Sequence, residues 1–259
     1  MSFKTKKMPV IFIGHGSPMN AVADNAFTKS LKTLSRKIET PKAILLVSAH
    51  WITGGTLFQG SAHPKTIHDF GGFPEALYQI QYSSPGNPAL AAELKSHGLG
   101  AVTEEWGLDH GAWTILRHIY PSATIPVFQM SLDRSLSFKE HYELGQKINF
   151  LREQGVLIIG SGNVVHNLRQ IEWQEEAPAY EWALDFDHKV KSALEAYDHS
   201  TLVNILQDYP TLTKLAHPSY EHYIPLLYTL GASESKDEMT LLFEGIQNAS
   251  ISMRSFILG

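Results

Sequence analysis

The chain has 259 residues, a formal net charge of −5, 43% hydrophobic residues and no cysteine. The missing cysteines exclude disulfides, thiolate metal sites and cysteine nucleophiles, and they agree with a reducing compartment. The acidic balance argues against a general nucleic-acid binder, and no apolar run reaches the roughly 18 residues of a membrane span.

In chain order, the lysine-bearing start "MSFKTKKMPV" lacks a following apolar stretch, so it does not read as a signal peptide. The run "PVIFIG" (9–14) predicts a first strand, and "NAFTKSLKTLSRKIE" (25–39) carries apolar residues at helical spacing. "AILLVSA" (43–49) predicts the second strand. A Gly- and aromatic-rich loop, "TIHDFGGFPEALYQ" (66–79), holds His68, Phe70 and Phe73 and reads as a lid or pocket wall. "SSPGNP" (83–88) is a loop entering a helix over 88–96, with Pro88 suited to its first turn.

Further helices are expected at 111–119, 138–154, 179–197 and 221–230. Strands are expected in "IPVFQMS" (125–131), "GVLIIGSG" (155–162) and "EMTLLF" (238–243). The first four strand runs lack polar alternation, as strands covered on both faces do. Strand–helix alternation then predicts a single α/β domain over 1–259, with a mostly parallel or mixed central sheet flanked by helices. A soluble, cytoplasmic protein is the expectation.

There are 13 histidines, so metal or acid–base chemistry here would rest on imidazole and carboxylate. Their positions matter more than their number. His15 follows the first strand between two glycines, and His50 falls just past the second. His166 comes a few residues after the fourth strand and its Gly-Ser-Gly turn. Ligands of open α/β sheets bind outside the carboxyl ends of strands, so these three should converge on one sheet edge. Two imidazoles with a third histidine or a carboxylate form a usual ligand set for catalytic zinc or non-haem iron.

Two other segments offer partners. "EEWGLDHGAW" (104–113) puts Asp109 and His110 at a helix start, where Asp109 also suits a helix cap. "HPSYEHYIPLLY" (217–228) offers His217, Glu221 and His222 ahead of an apolar helix, and any of the three is a candidate ligand.

Together GHGSPM, SAHW, HDFGGFP, WGLDHGAW, GSGNVVHN and EHYIPLLY resemble the DOPA 4,5-dioxygenase extradiol family. That family is a branch of the class III extradiol ring-cleavage dioxygenases, related to the catalytic subunit of protocatechuate 4,5-dioxygenase. The resemblance runs from about residue 9 to the C-terminus, with the motifs in family order. It implies His15, His50 and His222 as ligands of one divalent metal, where the wider class uses a glutamate for the third. It implies an acid–base role for His166, which could approach an empty site as a further ligand, and a substrate or oxygen contact for His110. His68, Phe70 and Phe73 would then border the substrate.

Fe(II) is the implied active metal, with Zn(II) the ion expected in purified protein. The implied substrates are O₂ and a catechol such as L-DOPA, cleaved at the 4,5 bond to 4,5-seco-DOPA, the precursor of betalamic acid. No nucleic-acid or membrane partner is expected, and the oligomeric state stays open. Two other readings stand beside this one: a zinc-dependent hydrolase, and a non-catalytic metal-binding protein on the same scaffold.

Overall fold

A computed structural model describes residues 7–259, so the first six residues of the lysine-bearing start lie outside it. Ten strands run in chain order: β1 Val10–Gly14, β2 Ala43–Thr53, β3 Leu57–Gln59, β4 Ala101–Thr103, β5 Val127–Asp133, β6 Val156–Gly162, β7 Met239–Phe243, β8 Ile246–Gln247, β9 Ile251–Ser252 and β10 Ser255–Leu258. The α-helices are α1 Ala26–Leu34, α2 Glu75–Tyr78, α3 Pro88–Ser96, α4 His110–Ile119, α5 Phe138–Ile148, α6 Glu181–Glu195, α7 His199–Val203, α8 Ile205–Asp208, α9 Pro210–Ala216 and α10 Ile224–Ala232.

Eight strands form one mixed sheet in the order β4-β3-β5-β2-β6-β1-β10-β7. Its centre is parallel: β6 pairs with both β1 and β2, and β2 pairs with β5. β10 adds to β1 in the antiparallel sense, and β7 adds to β10 likewise. β8 and β9 form a separate two-stranded ribbon.

Alternation along each central strand divides the core in two. Val10 and Phe12 of β1 join a cluster with α5, α6 and α10. Ile11 and Ile13 face the other way, against Phe27 and Leu31 of α1 and Trp113 and Leu116 of α4. Each such side chain contributes roughly 1.5–3 kcal/mol on full burial, so neither face can stand uncovered.

Local chemistry starts the helices. Asn25 and Thr28 form a capping box on α1, and Ser137 and Glu140 form another on α5. Three differences from expectation bear on function. β2 continues to Thr53 through a register shift between Val47 and Ile52, so His50 lies within a bulged strand rather than past its end. Gly160, Ser161 and Gly162 belong to β6 and make no turn. The last long helix begins at Ile224 with Pro225 in its first turn, which leaves His222 in the turn ahead of it.

Candidate metal centre and substrate cavity

Because β6 lies between β1 and β2, the chain ends of β1 and the bulge of β2 come together above it. His15 is the first residue after β1, and its backbone N–H donates to the Gly162 carbonyl (3.0 Å). Its Nδ1 lies 3.0 Å from the Ser161 hydroxyl, whose own proton goes to the Gly111 carbonyl (2.6 Å). Ser161 is thus left to accept, so Nδ1 of His15 carries the ring proton and Nε2 keeps a lone pair.

His222 is fixed in the same way. Its Nδ1 faces the Glu221 carboxylate at 3.2 Å, and its Nε2 is buried without a partner. Nε2 of His50 stands 3.0 Å from Nε2 of His15, and its Nδ1 is 3.6 Å from Asp69. One ligand atom from each of the three histidines falls within 4.8 Å of the other two. Burial first, then the charges of neighbouring histidines, hold all three pKa values well below 6.5. Nε2 of His15 and Nε2 of His50 can meet at 3.0 Å only with a proton or a cation between them, and Nε2 of His222 has no donor facing it. The donor set therefore fits a divalent metal.

Close packing of backbone makes this convergence possible. A Cβ on Gly162 would collide with the His222 carbonyl, the group that also accepts from Asn163 N–H (2.9 Å). A Cβ on Gly111 would sit 2.7 Å from the Ser48 hydroxyl and 3.0 Å from the His50 ring. The "GSGN" stretch thus clears room for the His222 turn.

The next layer is acidic. Asp69 accepts both the backbone N–H (2.8 Å) and Nδ1 (2.9 Å) of His110. Burial pushes the Asp69 carboxyl up, but the hydrogen bonds and charges of His110 and His50 outweigh it, and the net shift is downward. Asp109 caps α4 through Ala112 N–H and accepts from Ser48 (2.7 Å) and Gln129 (2.7 Å). Burial, with the Asp69 charge after it, raises Asp109 to about 6. The sequence alone does not single out Asp69, Ser161 or Gln129. Only Asp69 carried a signal, as the lone acid of HDFGG beside a glycine pair.

His166 stacks on His222 at 3.5 Å with the rings 7° apart. It groups with Glu221 and His222, outside the triangle of His15, His50 and His222. Burial, then the charges of His217 and His110, pushes its pKa down to about 3.

His15, His50, Asp69, His110, His166 and His222 line a cavity of about 570 Å³, with Phe70 and Phe73 on its wall. His68 is not brought there: its Nε2 bonds the Ile80 carbonyl (3.0 Å) and its ring packs on Trp113, behind Phe70. His217 is also elsewhere, donating from Nε2 to the Val164 carbonyl (2.6 Å) and packed between Phe186 and Tyr223.

Residues 6–253 match the family described as the catalytic LigB subunit of aromatic ring-opening dioxygenase. A 4,5-DOPA dioxygenase extradiol of Escherichia coli K12 is 44% identical over 98% of this chain and 95% of its own. One from Beta vulgaris is 37% identical over 95% of this chain and 94% of its own. The crystal structure of an uncharacterized protein from Escherichia coli K12 superposes with a TM-score of 0.84 at 40% identity. It spans 98% of this chain and 100% of that one.

Proposed function

The chain belongs to the LigB family of aromatic ring-opening dioxygenases and is an extradiol dioxygenase, and we propose that its substrate is a catechol such as L-DOPA. The reaction is 4,5-cleavage by O₂, giving 4,5-seco-DOPA, from which betalamic acid can form. The observation that carries this reading is the meeting of three neutral imidazoles, with Nε2 of His222 buried and unpartnered, on the wall of a cavity of about 570 Å³.

His15, His50 and His222 would hold one Fe(II), with Zn(II) the ion such a site readily retains through purification. Iron, when bound, supplies the redox coupling between catechol and O₂ that no side chain of this chain can supply. The protein's own groups handle protons, packing and exclusion of water. His166, on the cavity wall and stacked on His222, is the imidazole placed to take a catechol proton and return it as the ring opens. His110 has its Nδ1 proton committed to Asp69, so its Nε2 is free to accept from substrate. Phe70 and Phe73 give the aromatic ring an apolar wall. A chain without cysteine suits work in the cytoplasm, and no helix among the described residues is long and apolar enough to cross a membrane.

Anaerobic loading with Fe(II), followed by ¹⁸O₂ and a panel of catechols, tests the reading. The expected result is a yellow ring-opened product carrying both labelled atoms, with zinc-loaded protein inert. Product lacking the label, or turnover without O₂, would overturn it.

A further inference from the structure

Ring cleavage leaves one charged wall of the cavity unused. No lysine or arginine is among the described residues that line it, and its two carboxylates are Asp69 and Glu175. Asp69 is committed to His110. Glu175 is held in a different manner, by neutral amides. Its Oε1 accepts from Asn25 Nδ2 (2.7 Å) and Gln247 Nε2 (3.0 Å). Asn20 in turn donates to the Gln247 side chain and to the His15 carbonyl, both at 3.2 Å. Among the described residues no cation pairs with this carboxylate, and its second oxygen has no hydrogen bond.

Two residues earlier, Trp173 is 85% exposed and also lines the cavity. An indole left this open is unusual in a folded chain. The short segment between is fixed from one residue: Asn248 accepts Glu172 N–H (3.0 Å), donates its Nδ2 to the Glu172 carbonyl (2.9 Å) and its N–H to the Glu175 carbonyl (2.9 Å). Trp173 and Glu175 are therefore presented together by a braced turn.

An aromatic face beside an amide-held carboxylate is the chemistry that recognises an organic cation. We propose that Trp173 and Glu175 form an amine-recognition subsite, so that this enzyme prefers catechols with a cationic amine on the side chain. The proposal rests on the catechol reading above and narrows it. A side-chain carboxylate is not required for recognition. A catechol bearing only a carboxylate meets the Glu175 carboxylate with no lysine or arginine among the described residues of the cavity wall to offset it.

The test compares three substrates of similar size on iron-loaded enzyme: dopamine, 4-methylcatechol and 3,4-dihydroxyphenylacetate. Glu175→Gln keeps an acceptor for Asn25 and Gln247 while removing the charge. It should lower the dopamine to 4-methylcatechol ratio of kcat/KM about tenfold, chiefly through KM, and raise kcat/KM for the acid. Trp173→Ala should lower the same ratio by about two- to fivefold. Anoxic calorimetry with tyramine, which has one ring hydroxyl, reads amine binding without turnover and should weaken about tenfold in Glu175→Gln. An equal change for all three catechols, or an unchanged tyramine Kd, would overturn the subsite. If no catechol were cleaved by the wild type but tyramine binding still depended on Glu175, the subsite would stand and the ring-cleavage reading would fall.

Discussion

Two sets of buried histidines lie on either side of this molecule's function. His141 of α5 packs on Tyr228 of α10, His217 lies between Phe186 of α6 and Tyr223, and burial pushes each down to about 4. His15, His50 and His222 are also held below their ordinary value by burial. Burial and a depressed pKa therefore do not separate a structural imidazole from a metal ligand. The use of the lone pairs does. His141 meets the Tyr228 hydroxyl at 2.9 Å and His217 donates to a carbonyl, the first packed on Tyr228 and the second on Phe186 and Tyr223. In the cavity set, Nδ1 of His15 and of His222 is committed to a serine or a carboxylate, and the Nε2 atoms are aimed at a common point.

The strongest way to break this contrast is to remove one member of the converging set. Alanine at His15, His50 or His222 should abolish ring cleavage and weaken metal binding by well over about 100-fold, since even outer partners of ligands cost 10–100-fold. Alanine at His217 should leave metal content whole while lowering the melting temperature. Full metal occupancy in all three cavity variants would move the site elsewhere.

His166 tests the boundary of the set. It stacks on His222 yet lies outside the triangle. His166→Gln should cut turnover by about 10²–10⁴-fold with metal content near normal, the range of a lost acid–base group. Loss of metal instead would make it a ligand, and near-normal cleavage by iron-replete variant would sink the proton role.

Much of this was legible in the chain, and the rest failed for identifiable reasons. The apolar runs at 9–14 and 155–162 correspond to β1 and β6 because strands covered on both faces have no polar alternation to hide. The three-residue β3 and β4 are too short to carry a period, and β10 is a strand only because β1 and β7 flank it. His50 read as past its strand because a bulge leaves no mark in composition. The choice among His217, Glu221 and His222 was open on local grounds, since all three precede one helix. What separates them is tertiary: Phe186 encloses His217 with Tyr223, while His222 meets His15 and His50, and Glu221 turns to its neighbour His222. His68 looked like a pocket residue because its loop is one, but the backbone turns its ring towards Ile80.

The structural set makes a pH prediction. Between about pH 6.5 and 4, His141 binds its proton only after unfolding. The stability it contributes is whole above 6.5 and is lost as pH falls through that window. The full loss is about 3 kcal/mol. The urea midpoint should therefore decline from pH 7 to pH 4.5, and His141→Gln should flatten that decline by about one proton. Parallel pH slopes for variant and wild type would show that His141 titrates normally when folded.

A smaller effect than these should come from Ser161, and it goes to the origin of the difference between the two sets. Ser161 touches no cavity ligand except through His15, yet its hydroxyl is the reason Nε2 of that ring is free. Ser161→Ala removes the acceptor of the Nδ1 proton and leaves that proton buried without a partner, while the strand and its β1 and β2 pairings keep their backbone bonds. The ring then gains by turning or by moving its proton to Nε2, and either change points a proton where a lone pair belongs. The expected cost is about 10–100-fold in Zn(II) or Fe(II) affinity, measured by competition with a chelator, with a melting temperature shift of only a few degrees. An unchanged metal Kd would mean that neighbouring lone pairs, and not the serine, orient His15.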